Sequence, residues 1–213
     1  YHNVSYSLAV RSQQIGGTVT LVTGADDRLR RRLLTPAGKF PMGSVTKSWT
    51  AVRIMQYHEQ GLIDIDAPIS RYVDPVLRRM NGTTMAELWN HDPRIENVTA
   101  RLIMSMRSGL HDYNDTAFYD FVFAQPRPPR QFLNPFDVLH RVNKSFVCDP
   151  GACGYYASPP VELLGLAACH IQGCTSWEDL DQLAVLDRNP GMRKEYESGV
   201  AFPKAYPNAF GLT

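Results

Sequence analysis

The feature that most constrains this chain is an abrupt change of pattern between Pro41 and Val45. Before it, Val4 to Val10 alternates, and Gly17-Thr18-Val19-Thr20-Leu21-Val22 is strongly β-prone, so both stretches read as strands. Gly24-Ala25-Asp26-Asp27 reads as a turn, and Leu33 to Thr35 can extend the sheet. Pro36, Gly38 and Pro41 keep the chain irregular up to Gly43. From Ser44 the spacing turns helical. Val45, Trp49, Val52 and Met55 form one apolar stripe, closed near Gly61.

That boundary places Ser44 and Lys47 three residues apart at a helix N-terminus, on one face. A serine hydroxyl is a poor nucleophile until a base takes its proton, and a desolvated lysine can be that base. The positive end of the helix dipole also favours negative charge developing there. The tetrapeptide alone arises often by chance, so the rest of the chain must decide its meaning.

Further helices follow. Pro68 opens a short helix to Val73, and residues 81–96 read as a surface excursion with a short helix around Met85–Trp89. Thr99–Arg107 is expected to be helical and closed by Gly109, and Asp115–Gln125 is an aromatic-rich helix broken by Pro126, Pro128 and Pro129. Asn134-Pro135 is a cap followed by proline, starting a helix to about Val142. Pro159–Ile171 is a helix with a buried turn at Leu163–Ala168, and Ser176 caps another to roughly Leu186. The last residues, 191–213, read as an irregular tail. No internal repeat or second-domain linker is visible, so 1–213 reads as one domain, with strands over 1–43 and helices over 44–190.

Composition narrows the function classes. The chain has 213 residues, 44% of them apolar, and 22 basic against 21 acidic residues give a net charge of +1. That balance does not suggest a nucleic-acid or membrane-surface binder, and the run Arg28, Arg30, Arg31, Arg32 reads as a solvated loop. No apolar stretch approaches the ~20 residues of a membrane span. Five N-x-S/T sequons, at Asn3, Asn81, Asn97, Asn114 and Asn143, point to a glycosylated, secreted or extracellular protein. Cys148 and Cys153 frame one tight loop, Cys169 and Cys174 another. Four cysteines allow three pairings, and two short local bridges are the simplest. Zinc is the rival, but the histidines are scattered and neither pair has the C-x₂-C form; no metal or cofactor is expected. The chain begins at Tyr1, which suggests a mature or trimmed product.

With the helix placed, a resemblance emerges. Phe40-Pro41-Met42-Gly43-Ser44-Val45-Thr46-Lys47, then Gly61 through Tyr72, resembles the serine β-lactamase and penicillin-binding-protein superfamily, in its class C β-lactamase, D-alanyl-D-alanine peptidase and esterase branch. Ser108-Gly109-Leu110 with Asp112-Tyr113 is similar to the family's T-S-G-L segment, although Ser105-Met106-Arg107 departs from it. Tyr156-Ala157-Ser158 followed by Leu163-Leu164-Gly165 is similar to its Y-x-N motif, with Ser158 replacing the asparagine. The resemblance implies an α+β fold, an antiparallel sheet flanked by helices plus an all-helical region. It also implies Ser44 as acylated nucleophile, Lys47 as its proton acceptor, Tyr156 in proton transfer to the leaving group, Ser158 in substrate binding, and the Ser44 N–H as half of an oxyanion hole. Tyr155 is the alternative tyrosine, but the spacing to Leu163 favours Tyr156.

The family's third motif, K-T-G or H-x-G, has no match after Tyr156. The sheet is therefore expected to be incomplete in this chain, with a C-terminal fragment or second chain completing it. The expected function is a secreted serine hydrolase that cleaves a small ester or amide through a Ser44 acyl-enzyme. The alternative is a catalytically impaired relative with a structural or assembly role, supported by the altered motifs.

Overall fold

The strand-to-helix break read from the sequence falls at the division between two compact units, residues 1–41 and 42–213. The structure is a computed structural model, and it describes residues 4–25, 32–38, 40, 42–113, 120, 124 and 134–199.

In the first unit the β-branched stretches pair as antiparallel strands β1 (Tyr6–Ser12) and β2 (Gly17–Thr23). Leu8 lies opposite Leu21 and Val10 opposite Val19, so one face of the ribbon is apolar. Two strands alone give that face nothing to pack on. Tyr6, Leu8, Val10, Val19 and Leu21 are accordingly 47–62% exposed. Leu33 adds only an isolated bridge to Ala25 and does not extend the sheet. The Ser5 hydroxyl closes the base of the ribbon, donating to the Ala25 carbonyl at 2.6 Å and accepting its N–H at 2.9 Å.

The second unit is helical. Helix α1 (Val45–Glu59) packs against α6 (Pro159–Gln172) and buries Ile54 and Tyr57. The expected stripe is on the other side: Val45, Val52 and Met55 are 40–58% exposed. At about 100° per residue, Ile54 sits half a turn from Val45, and this helix has apolar residues on both faces. Spacing alone could not choose between them. Helix α2 (Ser70–Asn81) outlasts the expected stop at Val73 and passes through Pro75. Burial of Val73, Val76 and Leu77 outweighs the one hydrogen bond that Pro75 forfeits.

Residues 81–96 are not a surface excursion. Helix α3 (Met85–Leu88), held by a Thr84–Glu87 capping box, puts Met85, Leu88 and Trp89 in the core. A 3₁₀ turn (Pro93–Asn97) adds Ile95. Helix α4 (Ala100–Met104) ends before the left-handed Met106, and α5 (Pro135–Arg141) starts from the Asn134 cap as expected. Residues Leu163–Cys169 of α6 are all buried, and Gly173 closes that helix.

Beyond it, the expected helix from Ser176 splits into two 3₁₀ turns, Trp177–Asp179 and Gln182–Leu186. The chain turns extended at Leu180 and is recapped by Asp181, whose carboxylate accepts the Leu183 N–H at 3.0 Å. The tail is not wholly irregular, because Pro190–Gly199 forms α7. Arg193 ties that helix to Asp181 and Asp187. Cys148 and Cys153 are bridged. Cys169 and Cys174 are not: both are buried thiols, and Cys169 Sγ points to the Ser176 carbonyl at 3.7 Å. All of the expected helix 115–125 but residues 120 and 124, the prolines at 126, 128 and 129, Arg28, Arg30, Arg31, Asn3, Asn114 and residues 200–213 lie outside the described residues. Among the described residues no helix is long and apolar enough to cross a membrane.

The choice of buried face on α1 is testable by urea unfolding. Ile54→Ala is expected to cost about 3 kcal/mol, and Val52→Ser less than about 0.5 kcal/mol; the reverse order would restore the stripe read from sequence.

Candidate active site

Gly43 starts the site. Its φ of +52° is left-handed, and a Cβ there would meet nothing within 4 Å, so the demand for glycine comes from the backbone and not from crowding. The turn lets the chain enter α1 directly. Val45 N–H donates to the Met42 carbonyl at 3.1 Å, and Thr46 N–H to that of Gly43 at 3.2 Å. Ser44 sits on this first turn with its backbone N–H free of partners among the described residues. One turn on, Lys47 Nζ donates to Ser44 Oγ at 3.2 Å. The three-residue spacing therefore does what helix geometry requires.

Tyr156 reaches the same hydroxyl from 112 residues away, with Ser44 Oγ and Tyr156 Oη 2.5 Å apart. Several constraints hold its loop against the 106–112 segment. Tyr155 N–H donates to the Met106 carbonyl at 2.8 Å, Gly151 N–H to Arg107 at 2.8 Å, and the Arg107 guanidinium returns a bond to the Gly151 carbonyl. Val147 N–H donates to the Gly109 carbonyl at 2.8 Å, and the Cys148–Cys153 bridge closes the intervening loop. Gly109 is left-handed, and a Cβ there would collide with the Cys148 carbonyl, which accounts for glycine in Ser108-Gly109-Leu110. Asp112 then accepts the Ser158 N–H at 2.9 Å and so joins two of the three matching stretches.

Tyr155 faces away, its ring edge-on to His111 at 6.2 Å. Of the two tyrosines, Tyr156 is the one that meets Ser44 Oγ. Ser158 opens α6 without capping it, and its hydroxyl makes no hydrogen bond among the described residues. It is adjacent to the cluster but outside the Ser44–Lys47–Tyr156 contacts.

Electrostatics makes the Tyr156 phenol more acidic than an ordinary tyrosine. The Ser44 hydroxyl bonded to it, and then Lys47, whose Nζ is 5.1 Å above its ring, hold the Tyr156 phenol below its ordinary value, while desolvation and, less, Asp112 oppose them. Because Lys47 donates to Ser44 Oγ, the Ser44 proton is free to point at Tyr156, its nearest oxygen. Tyr156 is 53% exposed and Ser44 is also exposed, so the cluster lies at a surface of the described residues.

Among the sequons, Asn81, Asn97 and Asn143 are on the surface. Asn81 Oδ1 meets His140 Nε2 at 2.7 Å, while Asn143 Oδ1 accepts from its own sequon's Ser145 at 2.9 Å. Sequence reasoning missed Glu162, a half-buried carboxyl in the first turn of α6. Its only sequence signal is a charged residue directly before the apolar run Leu163–Ala168.

The family described as Beta-lactamase matches residues 6–189 of this chain. Among solved structures the chain is similar to a D-amino acid amidase from Ochrobactrum anthropi SV3, with TM-score 0.60 and 20% identity, covering 89% of this chain and 45% of that one. It is similar to a D-stereospecific amidohydrolase from a Streptomyces species, with TM-score 0.59 and 23% identity over 82% of this chain and 46% of that one. A penicillin binding protein from Bacillus halodurans gives TM-score 0.59 and 20% identity over 83% and 48%. At these identities the likeness is one of fold: β-lactamase/transpeptidase-like, with the sheet incomplete. The chain spans less than half the length of each of these structures.

Proposed function

The chain belongs to the beta-lactamase family of serine hydrolases, and from that premise we propose that it cleaves a small ester or amide through a covalent acyl group on Ser44. The observation that carries this reading is the meeting of Ser44 Oγ with Tyr156 Oη at 2.5 Å and Lys47 Nζ at 3.2 Å. Tyr156, as phenolate, takes the Ser44 proton while Oγ bonds to the carbonyl carbon. Lys47 stabilises the phenolate and the negative charge that develops. Collapse of the tetrahedral adduct expels the leaving group, which takes the proton from Tyr156. Lys47 as the direct acceptor is the other route, but it lies further from Ser44 Oγ and donates to it. The Ser44 N–H, which has no partner among the described residues, would make one oxyanion contact. The similar structures include, by their names, a D-amino acid amidase and a D-stereospecific amidohydrolase; a small amide of a D-amino acid is a fitting first substrate here.

A second reading, a relative kept for structural or assembly work, is favoured by Ser158 in the asparagine position and by the altered Ser105-Met106-Arg107. Turnover separates the two. The natively expressed protein is expected to hydrolyse a p-nitrophenyl ester, with Ser44→Ala reducing the rate at least ~10³-fold and Tyr156→Phe by ~10²–10⁴-fold. Equal rates for wild type and Ser44→Ala would leave the structural reading.

We also propose that the protein is secreted and glycosylated, and that more chain, or a second chain, covers the apolar face of β1–β2. The exposed sequons support the first, and the exposed Leu8–Leu21 and Val10–Val19 pairs the second. Intact mass of native material checks both. Peptide-N-glycosidase should lower the mass, and the deglycosylated assembly should still exceed 24.0 kDa; a mass of 24.0 kDa unchanged by the enzyme contradicts both.

A further inference from the structure

A cavity of about 660 Å³ lies where the chain leaves α3 and α5, and none of the Ser44 cluster lines it. That volume is in the range of small-molecule sites and far exceeds what a water or an inorganic ion fills. Trp89, Pro93 and Arg94 line it from beyond α3, and Lys144 and Ser145 from beyond α5. Its frame is set by the protein alone. Asn90 and His91 are both left-handed, at φ +53° and +58°, so the chain turns sharply after Trp89. The turn is pinned by His91 N–H on the Ala86 carbonyl at 2.8 Å and Asp92 N–H on that of Trp89 at 3.0 Å. Ser145 Oγ donates to Asn143 Oδ1 at 2.9 Å and meets His111 Nε2 at 3.0 Å.

The ionic groups around this cavity are engaged, with one exception. Arg94 grips Asp92 through Nε at 3.0 Å and Nη2 at 2.6 Å, reaches Asp149 at 3.4 Å, and lies 4.6 Å over the Phe146 ring. On α3, Glu87 is bound to Thr83 and Thr84; on α5, His140 meets Asn81 and Arg141 meets Asp137. Lys144 has no carboxylate partner among the described residues. Its Nζ lies 4.9 Å over the Trp89 ring and donates to the Leu139 carbonyl. An ammonium has three donors, so two are unspent. Trp89 is 1% exposed, and its indole N–H, also buried, has no acceptor. A half-buried cation beside an orphaned donor is unfavourable unless an anion joins it.

We propose that this cavity binds a small organic carboxylate, its charge held by the Lys144 ammonium. One unpaired cation matches one negative charge, and Arg94, spent on Asp92, leaves no second cation for a phosphate dianion. Pro93 and the Trp89 ring supply apolar lining for the hydrocarbon part of the ligand. Burial draws the Lys144 amine down to about 8, so it still carries its charge at neutral pH. The proposal does not rest on the hydrolase reading, because no residue of the Ser44 cluster takes part.

Equilibrium dialysis of the natively expressed protein against radiolabelled benzoate tests it. Saturable binding at one site per chain is expected, with a dissociation constant of about 1 mM. Benzyl alcohol, which has the ring without the charge, should not displace it. Lys144→Met should weaken binding at least ~10-fold, whereas Lys144→Arg, which keeps the charge, should stay within ~3-fold of wild type. A second measurement needs no variant. Binding to wild type should fall as the pH rises from about 7.5 to about 10, because the Lys144 ammonium is lost while benzoate keeps its charge. That window lies above the ~6.5 of an ordinary histidine. Absence of saturable uptake, equal displacement by benzyl alcohol, an affinity unchanged in folded Lys144→Met, or binding to wild type that is flat across the window overturns the proposal.

Discussion

The hydrogen bond between Ser44 Oγ and Tyr156 Oη is the interaction on which the rest of this structure turns. It joins two parts of the chain 112 residues apart, and neither residue is held there by burial. Both are exposed, so their positions come from the backbone beneath them. On one side that backbone is the left-handed Gly43 and the first turn of α1. On the other it is a loop fixed by the Cys148–Cys153 bridge, by bonds to residues 106–109 and by Asp112.

That division of labour explains the form of the core. The residues buried without remainder, among them Ile54, Ile69, Leu77, Trp89, Ile103, Leu139 and Leu163, belong to helices around α6. Helix α6 carries Ser158 at its start and packs directly against α1, so the two halves of the cluster are set by one helix–helix contact. A scaffold that sets exposed side chains from packed helices limits their freedom while leaving them accessible.

Much of this was legible in the sequence, and the failures are instructive. The strands, the start of α1, the Asn134 cap and the Ser44–Lys47 adjacency follow from local rules of propensity, capping and period. The side of α1 that is buried does not, because apolar residues occupy both sides and the partner helix decides. The short helix around Met85–Trp89 was legible, but its burial was not: the sequon at Asn81 pointed to the surface, whereas Met85, Leu88 and Trp89 lie in the core. Equal spacing of the two cysteine pairs suggested equal chemistry, yet one pair frames a loop and the other spans a buried helix end. Glu162 was invisible because a glutamate in a first helical turn is ordinarily a solvated, dipole-matched residue; only the two prolines before it and the core behind it make this one different.

The central claim is that Ser44, Lys47 and Tyr156 act as one proton-transfer unit, and the ionisation of Tyr156 tests it without any substrate. The phenolate absorbance near 295 nm, taken as the difference between wild type and Tyr156→Phe, isolates this one tyrosine. Its ionisation is expected at lower pH than the ~10 of an ordinary tyrosine, and Ser44→Ala should move it back up, because the Ser44 hydrogen bond is the largest cause of the shift. A Tyr156 that titrates near 10 in both proteins would contradict the claim.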